Sequence, residues 1–156
     1  MTQNPDIGQS GQLAFPPPEG GIVTGFAEGA VAAGLALIAG TLERDIKVPT
    51  AAFTIGFRGI ALYKDTHETN SWADKEQLAF CRKGFLWVAY EPDTDPTHDT
   101  QVFARHTANG AGKLVLGAIR ANADTTNASA LRGVMFRRII ASEKKALIEL
   151  SGHVTS

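Results

Sequence analysis

From Ile22 onward, apolar side chains recur at every second position in short runs separated by glycine and polar residues. The runs are GLALIA (34 to 39), GFRGIALY (56 to 63), QLAFCR (77 to 82), FLWVAY (85 to 90), QVFARH (101 to 106), KLVLGAIR (113 to 120), VMFRRII (134 to 140) and ALIEL (146 to 150). Short segments of period two at this spacing predict an all-β domain of about eight strands. Phe85, Trp87 and Ala89 fall on one face of FLWVAY and Leu86, Val88 and Tyr90 on the other. A strand apolar on both faces is expected in the middle of a sheet. QVFARH and VMFRRII carry Arg105, Arg137 and Arg138 within their patterns, which predicts one wetter face or an interface. Lys83 and Gly84 stand between two runs at the spacing of a tight hairpin, with glycine able to take the positive φ such turns need.

Helix is the competing assignment for residues 27 to 40 and 127 to 147, both rich in Ala. Gly29, Gly34, Gly40 and Gly133 argue against it, since each costs about 1 kcal/mol relative to Ala inside a helix and suits a bulge or strand end. A short helical turn around Asn127 to Leu131 is compatible with the pattern. The first 21 residues cannot form a helix: they hold four of the seven prolines, including Pro16, Pro17 and Pro18, and four glycines. They divide the chain into an extended Pro/Gly-rich N-terminal arm, 1 to 21, and one β domain, 22 to 156. The arm reads either as a disordered tail or as a segment laid over a neighbouring subunit, with Ile7, Leu13 and Phe15 as its apolar groups.

At 156 residues one hydrophobic core is expected, and Leu, Ile, Val and Phe together number 38, enough for a folded domain. The net charge of -1 suits neither wrapping of nucleic acid nor an acidic solvating tail. That balance hides an asymmetry: residues 1 to 112 carry 8 basic and 13 acidic groups, residues 113 to 156 carry 7 and 3. Such a polarised chain suits self-association, docking onto another protein, or pairing within itself. One cysteine, Cys81, excludes an internal disulfide, and in an apolar strand it reads as an inert thiol. The apolar stretch 30 to 40 lacks a preceding basic region and is too short to span a bilayer, so the chain reads as soluble and unexported.

Signatures of catalysis or cofactor binding are broken or missing, and no catalytic residue, cofactor or metal is assigned. NGAGKL (109 to 114) ends like a phosphate loop, but Thr107 stands where its first glycine belongs and Leu114 where a hydroxyl is needed, so a glycine-rich turn is expected. EPDTDPTHD (91 to 99) gathers Glu91, Asp93, Asp95 and Asp99, yet its spacing fails as an EF-hand and it reads as a solvated connection. His67, His98, His106 and His153 form no zinc pattern. Trp87 is expected to be buried; Trp72, in a polar run, is the one candidate for an exposed stacking platform on a carbohydrate-binding β-sandwich. The basic group Arg132, Arg137, Arg138, Lys144 and Lys145 reads as a solvated strand face or a protein interface, with little aromatic interleaving for nucleic acid.

Several segments, in order, resemble the structural cement, or capsid decoration, proteins of tailed bacteriophages. IGQSGQLA (7 to 14) is similar to the opening arm of that family, IVTGFAEGA (22 to 30) and GLALIAGT (34 to 41) to the segments after it, and FRGIALY (57 to 63) and KGFLWVAYE (83 to 91) to its next strands. LGAIRANADTTNASALRGVMF (116 to 136) with ALIELSG (146 to 152) carries the resemblance furthest. The resemblance implies a compact antiparallel β-barrel or jelly-roll-like sandwich, without catalysis or cofactor, on the outer surface of a phage head. It further implies a homo-oligomer, dimer or trimer, that bridges major capsid protein subunits, with no nucleic-acid or membrane partner. Ile7, Leu13 and Phe15 would be arm anchors, and Arg132, Arg137 and Arg138 a basic face toward an acidic surface. Another virion part, such as a head-completion or tail protein, is the alternative assignment.

Overall fold

The computed structural model describes residues 8–53, 56–64 and 69–151. Its strands are β1 (Ile22–Ala27), β2 (Val31–Ala32), β3 (Ala36–Ala39), β4 (Asp45–Lys47), β5 (Phe57–Ala61), β6 (Ser71–Trp72), β7 (Gln77–Cys81), β8 (Lys83–Ala89), β9 (Gln101–Arg105), β10 (Ile119–Arg120), β11 (Ala128–Ile140) and β12 (Lys145–Ser151). The only helical element among the described residues is a single 3₁₀ turn, Ala141–Glu143, which closes the hairpin between β11 and β12. The chain is therefore nearly all-β, as its period-two pattern predicts. Each of the eight apolar runs contributes a strand, and four further strands, β1, β2, β4 and β6, come from segments outside those runs.

Strands from the first half close a five-stranded barrel in the order β1-β4-β3-β5-β7, and the second half forms a sheet in the order β10-β9-β11-β12-β8. Within the barrel β1 and β4 run parallel and the other pairs antiparallel. A small ribbon, β2 with β6, pairs Val31 with Trp72 beside the barrel. The second sheet curls until its ends meet: Tyr90, just past β8, bridges Ile119 in β10, and the Glu91 N–H donates to the Ile119 carbonyl at 2.8 Å.

Strand alternation explains how the two halves share a core. On β7, Leu78 and Phe80 point into the barrel with Ala27, Leu37 and Ala61, whereas Cys81 packs with Leu86, Val88, Phe136 and Ile148 in the larger core. Ile60 on β5 sides with Cys81, its ladder partner. Strands β3, β5 and β7 thus bury one face inside the barrel and the other beneath the second sheet. In β11 the register slips between Ala130 and Met135, where Gly133 takes φ 79°. The Gln101 amide ties down the carbonyls freed there, donating to Val134 at 3.1 Å and to Leu131. The glycine that argues against a helix marks a bulge.

Three local expectations are corrected. Lys83 and Gly84 are not a hairpin turn: they pair with Ser151 and Leu150 as the start of β8, while β7 pairs with β1 and β5. The chain leaves one sheet for the other at Arg82, so proximity in sequence does not give pairing here. β8 is also the last strand of its sheet and not a central one. Its outer edge is paired by the N-terminal segment, since Leu13 bridges Leu86 and the Gly11 and Ala14 N–H groups donate to the carbonyls of Trp87 and Phe85 at 2.6 and 3.0 Å. Gly11 lies so close to the end of β5 that a Cβ there would stand 2.7 Å from the Ala61 carbonyl oxygen. Finally, of KLVLGAIR only Ile119–Arg120 forms a strand. Residues 109 to 113 make the expected glycine-rich turn, closed by the Asn109 N–H on the Lys113 carbonyl, and Leu114 and Val115 are exposed.

Candidate protein interface

The residues expected to carry binding are placed unevenly. Ile7 lies outside the described residues. Leu13 is half-buried and packs against the chain's own core. Phe15 is 56% exposed and sets its ring edge-on to Phe85, centroids 5.5 Å apart. Arg137 and Arg138 are successive in β11, but a second bulge sets both opposite Leu147, so neither is turned inward. Arg137 Nε donates to Glu149 at 2.8 Å and its guanidinium also pairs with Asp99. Arg138 lies over the Trp87 ring at 5.9 Å. Arg132, exposed and well before that bulge, stands apart beside Phe53 and Ala130.

Phe15, Leu13, Trp87, Arg138 and Leu147 therefore line one shallow recess on the outer face of the second sheet. Aromatic and arginine side chains over an apolar floor are what protein interfaces enrich. The sequence pattern signals Trp87 and Arg138 separately; what joins them is the β11–β12–β8 register, which no local period reveals.

Of the acidic segment 91 to 99, Glu91 alone among the four acids is buried, whereas Asp93, Asp95 and Asp99 stay exposed, as a solvated connection would. Ile119 pairs with Ala104 and Arg120 with Phe103, so Arg120 shares a face with Arg105, opposite the core. Glu91 is returned over that face by its backbone bond to Ile119 and accepts from Arg105 at 2.8 Å through both carboxylate oxygens, while also pairing with Arg120. Asp124 closes on Arg105 at 2.9 Å, Asp93 on Arg120 at 3.2 Å and Lys113 at 3.3 Å. Asp95 pairs with Lys144 and Asp99 with Arg137. Arg105 and Arg120 are 0% and 1% exposed, so the wet strand face expected at Arg105 is instead a buried ion network. Charge asymmetry along the chain thus resolves largely into pairing within it.

The same network shifts its acids. Asn109, donating to Asp124, and Arg105 beside it hold the Asp124 carboxyl down at about 2. Burial pushes Asp93 upward, but Arg120 and Lys113 outweigh it and its pKa is lowered. Tyr90 is pushed up to about 12 by burial and by its hydrogen bond to Asp95. Burial raises the Cys81 thiol, which donates to the Lys83 carbonyl at 3.4 Å, away from thiolate chemistry. His106 is buried and its pKa lowered by that burial and by Arg105; its Nδ1 lies 2.8 Å from Thr107 Oγ1. Trp72 is 5% exposed, packed in the barrel core, so it offers no stacking platform.

No protein-family model matches the chain, and no curated protein matches it. Among solved structures, a chain in the capsid of Myoviridae phage XM1 has the same fold, with a TM-score of 0.74 over 97% of this chain and 94% of that chain. Sequence identity is 18%, so the likeness is one of architecture.

Proposed function

We propose that this protein is a non-enzymatic structural component of a phage virion, which sits on the outside of the head and stabilises contacts between major capsid protein subunits. The observation that carries the reading is the likeness, over nearly the whole of both chains, to a chain from a phage capsid. The ordered resemblance of its segments to capsid decoration proteins supports the finer assignment.

The physical picture agrees with a binding role. Buried groups that could carry chemistry, such as Cys81 and His106, are turned to packing and hydrogen bonding, whereas the outer sheet face presents Phe15 and Arg138 at the rim of a recess that the buried Trp87 lines. A standard interface buries about 800 Å² per partner, which a face of this kind can supply without a deep pocket. On a head under pressure from packaged DNA, a rigid clasp across subunit seams adds free energy available only to the assembled lattice, and several copies around a symmetry axis act together. In this reading the protein is a homo-oligomer, Phe15 and Arg138 meet a neighbour, and Leu13 holds Phe15 in place from within.

The test is to mix purified protein with expanded, undecorated heads and score co-sedimentation and heat resistance of the particles. The reading predicts saturable binding and heads that survive a higher temperature. Protein left in the supernatant, with heads no more resistant, would contradict it.

A further inference from the structure

The barrel carries a second surface that the outer sheet face does not explain. At one end, β1, β4, β5 and β7 surround a cavity of about 250 Å³ lined by Arg44, Arg58 and Arg82. Its inner wall is apolar, formed by Ile46 and Phe80 of the barrel core. None of the three guanidinium groups forms an ion pair with a described residue. Arg44 is steered by Thr24 Oγ1 at 3.3 Å and by the Phe26 ring at 5.3 Å. Arg82 is fixed at its backbone, whose N–H donates to the Gly21 carbonyl at 2.9 Å. The contrast is with Arg105, Arg120 and Arg137, each of which meets at least one carboxylate.

We propose that this cavity is a docking recess for an acidic side chain, Asp or Glu, presented by a partner protein. Three guanidinium groups around an apolar floor, Arg58 half-buried and Arg44 and Arg82 exposed, offer forked donors to a planar carboxylate. Glu43 and Asp45 also line the cavity, which leaves the lining with a formal charge of one positive unit. That balance suits a single monoanion and opposes a dianion such as phosphate. Beside lining residues in sequence stand Leu42 and Ile22, 63% and 41% exposed, which give the recess apolar neighbours to bury against the same partner. The identification of that partner as a capsid subunit rests on the reading under Proposed function; the chemistry of the recess does not.

Two measurements separate these claims. In the head-binding assay, Arg58→Gln/Arg82→Gln is expected to raise the apparent Kd at least tenfold, about the effect of losing one interface hot spot. The control Lys64→Gln/Lys75→Gln, with the same charge change elsewhere, is expected to bind as the unaltered protein does. If the unaltered protein binds and the arginine variant binds equally well, the recess proposal is wrong and the reading it rests on survives. The second measurement needs no heads: hexaglutamate is titrated into isotope-labelled protein while the arginine side-chain Nε–H resonances are followed by NMR. Shifts at Arg58 and Arg82, reversed by salt, are expected even if head binding fails. Unmoved resonances overturn the proposal, as do larger shifts with inorganic phosphate at equal concentration.

Discussion

Two groups of arginines, one in each half of this molecule, are treated in opposite ways. In the second sheet, Arg105 and Arg120 are buried and locked to Glu91, Asp93 and Asp124, so their charges solve a problem created by folding. In the barrel, Arg44, Arg58 and Arg82 stand around a cavity without a carboxylate partner among the described residues, and the ion pair of that region is Lys47 with Glu28 at 3.6 Å. The difference teaches that charge counts along a sequence do not separate structural from available cations. Position on a strand face and the loops that return over it do.

The largest expected effect lies in the sheet. Glu91→Gln leaves two guanidinium groups buried without their shared carboxylate and is expected to lower unfolding free energy by about 3–5 kcal/mol, read by denaturant titration. A loss near zero would mean that water or a shifted loop replaces Glu91. Next comes the barrel seam. β5 and β7 share two ladder pairs, and a Cβ at Gly59 would lie 2.3 Å from the Cys81 carbonyl oxygen. Gly59→Ala should therefore cost about 1–3 kcal/mol by forcing the seam apart, and an unchanged thermal midpoint would show the barrel to be looser than described.

A smaller effect is confined to acid. Asp124 at about 2 and the lowered Asp93 both have folded pKa values below the usual 3.8. Their contribution is present in full above about pH 4 and is lost as pH falls through the folded values, toward 2. Stability should accordingly fall between those limits, and Asp124→Asn should flatten that part of the curve. An acid profile identical in the variant would remove Asp124 from the account. The smallest effect belongs to the barrel cations: Arg58→Gln should alter stability by no more than about 0.5 kcal/mol, as for a group outside any folded-state network. A loss as large as that of Glu91→Gln would abolish the contrast between the two halves.

How far the sequence could be read follows from these same residues. The eight apolar runs locate strands because alternation is a local property, and Gly133 argues against a helix where it later marks a bulge. Pairing is not local: Lys83-Gly84 has the composition of a turn, but the chain changes sheets there and β8 finds β12, more than fifty residues away. FLWVAY is not central, yet residues 11 to 14 pair with its outer edge, its inner face enters the larger core, and its outer face meets Phe15 at Phe85 and Arg138 at Trp87. The buried network had one sequence signal, arginine inside the apolar runs QVFAR and GAIR, since charge in a core requires a partner. Its partners stood in a loop whose acidity suggested solvent. The recess at the barrel end had none, because Arg44, Arg58 and Arg82 come from three separate segments that only barrel closure brings together.

The most direct test of the proposed role is a density map of phage particles purified from cells that produce this chain. The account predicts the barrel and curled sheet on the outer face of the head, in several copies across the seams between capsid subunits, with the arginine recess facing an acidic side chain of a neighbour. Particles whose outer surface lacks this fold, while the protein is recovered only from the cell extract, would contradict it.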